Sequence, residues 1–400
     1  MPAIRVIDPA ERRSRLALRH RLTPGGRAAH PEEAVRSLLA VHSTDPSSVY
    51  VGLWARLRDG RVADVERALY EDRTLLRLLA MRRTVFVTGR EDAPLLLAGC
   101  ALDVAAKERR KLLGFLAASG VADSPAGVER WLAGAESAAL DALAARGEAT
   151  AAELAGDDER LATEIVLSAG KSYEGRQKAA SRVLLLLAAE GRVVRGRPRG
   201  SWTSHQYRWA PVGDWLPEGL PRLDPRAAEV ALARRWLSVF GPGTAEDLRW
   251  WTGWTKTRTT RALAGVAPAE VRVEGGAALL LPEDLDPVER PAPWAALLPA
   301  LDSTPMGWSG RDWFLGPHGP RLFDRAGNVG PTVWWDGRIV GGWAQDRTGE
   351  LVYRFLEDVG REAEQAVQAE AERLAARLGE VRLTPRTRGR TWLEEELADR

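Results

Sequence analysis

Residues 177–209, QKAASRVLLLLAAEGRVVRGRPRGSWTSHQYRW, decide the fold. Gln177 to Glu190 is predicted as a long helix that stops at Gly191, the residue type that most easily supplies a left-handed C-terminal cap. Arg192-Val193-Val194-Arg195-Gly196 and Gln206-Tyr207-Arg208-Trp209 then read as two strands joined by the tip Arg197-Pro198-Arg199-Gly200-Ser201. Upstream, Ser137 to Arg146 is a helix, and Thr150-Ala151-Ala152-Glu153-Leu154 opens another behind a threonine N-cap. Three helices closed by a basic hairpin make the winged-helix plan, in which the third helix enters a groove or braces the site.

The same order recurs on either side. Pro31 opens a helix with Ala34, Leu38, Leu39 and Val41 on its apolar face. Asp45-Pro46 is an N-cap and first-turn proline for a second helix carrying Val49, Leu53 and Leu57. Asp64 to Tyr70 is a third, followed by strands over Leu75–Met81 and Thr84–Val87. Further along, Ala227–Phe240, Gly243–Leu248 and Lys256–Ala264 are helices, and Glu270–Val273 with Ala277–Leu281 is a hairpin about Gly275-Gly276. The period varies too much for a solenoid, so tandem domains are expected: 1–125, 126–222 and 223–290. Residues 291–400 differ in kind, rich in Trp, Gly and short β-like runs. Within them Thr332-Val333-Trp334-Trp335, the turn Asp336-Gly337 and Arg338–Trp343 form the clearest hairpin, and Val359–Leu378 a long charged helix. The class expected is α+β.

The chain of 400 residues has an ordinary 45% hydrophobic share and no apolar run of the roughly 20 residues a membrane helix needs. Met1-Pro2-Ala3-Ile4-Arg5-Val6 lacks the apolar core of a signal peptide, and the single Cys100 excludes an intrachain disulfide framework and cysteine-rich zinc sites. A cytoplasmic, nucleoid-associated location is expected, with a monomer as the working form. Net charge is +2, which does not by itself advertise nucleic-acid binding. Local clusters matter more: Arg192, Arg195, Arg197 and Arg199 on the hairpin, and Lys256, Arg258 and Arg261 on the third helix of the third segment. No phosphate loop, nucleotide fingerprint or paired-histidine motif is present, so neither a metal nor another cofactor is expected.

Chemistry concentrates in Ala40-Val41-His42-Ser43-Thr44-Asp45-Pro46. Pro46 disfavours helix at Asp45, and in an extended stretch residues two apart point the same way. His42 and Thr44 then converge while Ser43 faces elsewhere. Asp45 is a helix cap first, and a third member of the site second.

Leu39–Pro46, Leu297-Leu298-Pro299-Ala300-Leu301-Asp302 and Val333–Trp343 resemble the bacterial winged-helix DNA glycosylases of the AlkZ/YcaQ type, and the resemblance spans nearly the whole chain. It implies three tandem winged-helix units and a C-terminal β-rich part, wrapped around double-stranded DNA in a C-shaped cleft. It also implies base excision repair of alkylated DNA, bulky or crosslinked adducts included. Where the family carries Gln-x-Gln or Gln-x-Asp, this chain has His42-Ser43-Thr44. The catalytic positions implied are therefore His42 and Thr44, and Asp45 beside them is the candidate third member, to orient His42 or act as base. A neutral histidine, with an ordinary pKa of about 6.5, can take a proton from water, whereas threonine can only hold the water.

Asp302 is read as a cap for the turn Ser303-Thr304-Pro305 first and as a site-lining residue, with Trp54, second. Arg311, between Trp308 and Trp313, is expected to stack, to bind phosphate or to pair with Asp312. The expected DNA contacts are Arg192, Arg195, Arg197, Arg199, Lys256, Arg258 and Arg311. The leading expectation is a monofunctional, cofactor-free glycosylase acting by water attack at C1′. The alternatives are a non-catalytic DNA-binding regulator or lesion-binding resistance factor on the same scaffold, and a cleft turned to another ligand.

Overall fold

A computed structural model describes residues 4–383, apart from 169, 171 and 173, together with residues 390–399. Helix takes 49% of the residues and strand 18%, and the two are segregated rather than alternating, which is the α+β class. Contacts group the chain into two compact units: Met1–Ala68, Val87–Gly89 and Glu229–Arg400 in the first, Leu69–Phe86 and Arg90–Ala228 in the second. The segments expected from sequence are grouped otherwise. Residues 1–125 are shared between the units, and from Glu229 onward the last two segments fall in one unit.

In the second unit the helix Ala179–Ala189 is the core element, with Ala180, Val183, Leu184, Leu187 and Ala188 all buried. Around it pack the helices Leu102–Ala118, Pro125–Arg146 and Ala151–Asp157, whose Leu112, Leu116, Leu132, Leu143 and Leu154 join the same cluster. The core helix begins two residues later than its apolar pattern indicates. Gln177 and Lys178 are taken by a hairpin, Glu164–Leu167 with Gly175–Lys178, in which Gln177 pairs with Ile165. The helix expected from Ser137 begins at Pro125 instead, because Ser124 accepts the Gly127 amide and Pro125 sits at its first position. Thr150 and Glu153 form a reciprocal capping box on the next helix. The basic hairpin follows as Val193–Pro198 and Tyr207–Pro211, with a register shift between Arg195 and Pro198.

The first unit carries the other helices-then-hairpin set: Pro225–Phe240 (from Glu229), Ala245–Thr252, Lys256–Val266, then Ala269–Val273 paired with Gly276–Leu280. A four-stranded antiparallel sheet follows, in the order Ala295–Leu298, Thr332–Trp335, Arg338–Gln345, Leu351–Phe355. Its central turn, with Trp335 opposite Arg338 and positive φ at both Asp336 and Gly337, has the backbone that a tight two-residue hairpin requires. Trp334 and Trp343 are buried on this sheet, their indole N–H groups bonded to Thr332 Oγ1 and the Leu298 carbonyl, each at 2.9 Å. The helix Gly360–Leu378 packs against the first strand.

Within the sheet, a Cβ at Gly341 would run into the Arg354 backbone carbonyl of the neighbouring strand, which cannot rotate away. Gly341→Ala is therefore expected to destabilise the first unit by about 1–3 kcal/mol, read as a lowered denaturation midpoint.

Candidate active site

The helix Pro46–Trp54 is buried at every residue and stands at the centre of the site. Its first turn is closed by Asp45, whose Oδ2 accepts from the Ser48 amide (3.0 Å) and from the hydroxyls of Ser47 (2.7 Å) and Ser48 (2.6 Å). Its last carbonyl, on Trp54, accepts from Arg373 (3.2 Å) and Arg377 (2.6 Å). Anion at the N-terminus and cations at the C-terminus both complement the helix dipole.

The loop that enters this helix is fixed through its backbone. Leu39 adopts φ +62°, its carbonyl accepts from Thr88 Oγ1 at 2.8 Å, and the Ala40 carbonyl accepts from Ser303 Oγ at 2.8 Å. Past this point His42 is half-buried, Ser43 fully buried and Thr44 exposed, the alternation of an extended segment. The Thr44 amide donates to His42 Nδ1 at 3.4 Å.

Behind the loop lies a buried polar network. Arg56 forms a bidentate pair with Asp302, Nη1–Oδ2 at 2.9 Å and Nη2–Oδ1 at 2.7 Å, and also donates to the Gly52 carbonyl and to Thr304 Oγ1. His20 Nε2 faces the Val239 carbonyl at 3.3 Å, which can only accept, so Nε2 carries the proton. Its Nδ1 accepts the Thr304 hydroxyl at 2.9 Å. Burial first, and then the nearby Arg56, lowers the His20 pKa to about 3. Asp302 thus reaches the site through Arg56 and the loop, as a brace beneath it, and Trp54 is buried at 2% exposure in the same core.

The other residues expected to act are placed as follows. In the second unit, Arg192 pairs with Glu136 and Glu190 (3.7 Å each), Arg197 with Glu71 (3.3 Å) and Arg199 with Glu153 (3.6 Å). Arg195 instead lies against the rings of Tyr207 and Trp209, 5.0 Å from each centroid. In the first unit Lys256 is exposed at the start of its helix, and Arg258 pairs with Glu229 at 2.8 Å above Trp254. Arg311 is held between Trp250 and Phe323, 4.7 and 4.6 Å from their centroids, and donates Nε–H to the Trp308 carbonyl. Among the described residues no cluster of three His, Cys, Asp or Glu side chains could hold a metal ion.

Sequence reasoning missed Arg56, Thr304 and His20. Their only sequence signal is an arginine inside an otherwise apolar run, Leu53-Trp54-Ala55-Arg56-Leu57, which a buried ion pair explains.

An α+β scaffold that presents a polar His/Thr loop at the start of a buried, doubly anchored helix defines the class of site. Comparison with known families matches one described as DNA glycosylase AlkZ-like over residues 35–377, most of the chain. The chain belongs to the AlkZ-like DNA glycosylase family of DNA-repair proteins. Among solved structures, Streptomyces sahachiroi DNA glycosylase AlkZ is similar in fold, with TM-score 0.70 and 22% identity over 93% of this chain and 97% of that one. No curated protein matches the chain. No helix among the described residues is long and apolar enough to cross a membrane.

Two outcomes test the network. Asp302→Asn leaves the Arg56 cation buried without its counter-charge and is expected to cost about 3–5 kcal/mol in denaturant unfolding. His20 is neutral in the fold but takes a proton when unfolded below about pH 6.5, so its contribution is complete above that pH and is lost as pH falls towards about 3. His20→Gln is expected to flatten the stability–pH curve in that window by up to about 1.4 kcal/mol per pH unit.

Proposed function

We propose that this protein is a monofunctional DNA glycosylase that removes alkylated bases from duplex DNA, with the His42–Thr44 loop holding and activating the attacking water. The observation that carries the reading is a half-buried imidazole beside an exposed threonine, on a loop fixed through Leu39 and Ala40, in a chain of this family. The water oxygen bonds to C1′ while the bond from C1′ to the base nitrogen breaks. Its electron pair neutralises the cationic base, and a water proton passes to His42. No general acid is needed when the base leaves already charged.

The tautomer follows from the contact already described. An amide can only donate, so Nδ1 is the acceptor and the neutral ring keeps its proton on Nε2. At 3.4 Å this bond is longer than the usual limit of about 3.2 Å, so a water donating to Nδ1 can displace it. The Thr44 hydroxyl, on the same residue, holds that water. Asp45 acts as a positioning residue, its Oδ2 already taking three donors. The helices-then-hairpin order supports winged-helix units, with Arg192, Arg195, Arg197, Arg199, Lys256, Arg258 and Arg311 as phosphate contacts. Binding without excision is a second reading. It is favoured by the same loop, because neither His42 nor Thr44 brings a negative charge to a cationic sugar.

The test is a duplex containing N7-methylguanine or a bulky N7 adduct, incubated with the protein and cleaved at abasic sites with alkali. Strand breaks are expected from the native chain and from the surface variant Glu129→Ala. His42→Ala should slow them by about 100-fold or more. Thr44→Val should cost roughly tenfold, near one hydrogen bond's contribution. Salt-dependent binding without breaks selects the second reading, and no binding at low salt overturns both.

A further inference from the structure

The second unit carries an open cleft of about 510 Å³ between the start of the helix Ala151–Asp157, the core helix Ala179–Ala189 and the basic hairpin. That volume lies in the range of pockets that accept a small organic ligand. The lining includes Arg195, Arg199 and His205 and not one carboxylate. Leu185, Tyr207 and Trp209 supply an apolar and aromatic wall.

Arg195 sets the chemistry. Its guanidinium lies over both Tyr207 and Trp209, and its Nε is buried with no hydrogen-bond partner among the described residues. No carboxylate among those residues pairs with it, unlike the flanking Arg192, Arg197 and Arg199. Arg77, itself only 2% exposed, rests on the same Tyr207 ring at 4.8 Å. A buried and a half-buried cation thus share one ring. Burial, and after it the neighbouring Arg77, pushes the Arg195 pKa down to about 10 against the pull of Tyr207. Aromatic faces offset part of the lost hydration of a cation but do not neutralise it. An anion in the cavity would.

We propose that this cavity binds a nucleotide through its terminal phosphate, the phosphate held by Arg195 and Arg199 and the base lying along the wall of Tyr207, Trp209 and Leu185. A cleft of this size is larger than a bare phosphate needs, and arginine beside aromatic rings suits a charged group attached to a flat one. The ligand is either a free nucleoside monophosphate or the phosphorylated end of a DNA strand. The inference concerns the second unit alone and holds whether or not the His42 loop excises bases.

Calorimetric titration of the full chain with adenosine 5′-monophosphate tests it, alongside adenosine, inorganic phosphate, and one single-stranded oligonucleotide with either a 5′-phosphate or a 5′-hydroxyl. The nucleotide is expected to bind with 1:1 stoichiometry, and adenosine and inorganic phosphate each at least about tenfold more weakly. Arg195→Gln should weaken the nucleotide about tenfold or more. Because that change could disturb the hairpin, Ser181→Glu is made in parallel: Ser181 is exposed on the cavity wall, and a carboxylate there should repel the phosphate with the fold intact by circular dichroism. Lys107→Glu, an exposed charge reversal outside the cavity, should leave binding unchanged. A phosphorylated oligonucleotide that binds better than both its hydroxyl form and the mononucleotide identifies a strand end. A mononucleotide that binds better than either identifies the free ligand. The proposal is overturned by no nucleotide binding at roughly 1 mM, by binding indifferent to Ser181→Glu, or by adenosine or inorganic phosphate binding as tightly as the nucleotide.

Discussion

The bidentate pair between Arg56 and Asp302 ties the helix that carries the candidate site to a loop 246 residues away. A buried ion pair does not stabilise a fold merely by existing, because stripping water from two charges can cost more than their attraction returns. This one is made favourable by its surroundings. Besides the two bonds to the carboxylate, the guanidinium donates to a helix carbonyl and a hydroxyl, and the carboxylate also accepts the Thr304 amide. The pair also adds to what burial imposes on its neighbour. His20, two hydrogen bonds away through Thr304, is kept neutral first by its burial and then by the nearby Arg56.

With the back of the helix pinned, the loop at its front has little freedom. Ser303, next to Asp302, holds the Ala40 carbonyl, so the ion pair and the loop backbone are parts of one assembly. Asp247 extends the assembly: while closing its own capping box with Thr244, it takes the amides of Ser309 and Gly310 and so fixes the chain that follows Thr304. For the proposed reaction the consequence would be functional as well as structural. Water placement at a reacting carbon tolerates little misplacement, and a His/Thr pair on a loose connection would not provide it.

Much of this was legible in sequence, for identifiable reasons. Asp45-Pro46, Thr150 and Asp336-Gly337 act through neighbours a few residues away, and their residue types announce two caps and a turn. The alternation of His42, Ser43 and Thr44 was equally local. The beginning of the core helix was not, because the claim on Gln177 and Lys178 comes from a strand more than ten residues earlier. Likewise the four arginines of the hairpin read as one basic surface, whereas three of them meet acids contributed by distant segments and the fourth turns onto aromatic rings. Asp302 does cap its turn, accepting the Thr304 amide, but sequence shows only an acid at the end of an apolar run and not the arginine it meets.

The two ends of the His42–Thr44 loop also constrain what the proposed reaction can accept. Neither residue is anionic, and the carboxylate next in sequence, Asp45, already spends Oδ2 on the Ser48 amide and two hydroxyls. A sugar cation forming beside such a loop would receive dipoles and a water from His42 and Thr44, and a negative charge from neither. The barrier must then be lowered from the other side of the breaking bond, by a base that is positively charged before it leaves. A purine alkylated at N3 or N7 meets that condition, and an unmodified base does not. Selectivity for damage would in this way reside in the leaving group as much as in any pocket that recognises it. A site made of an imidazole and a hydroxyl would be inert towards intact DNA for the same reason that it can serve a cationic lesion.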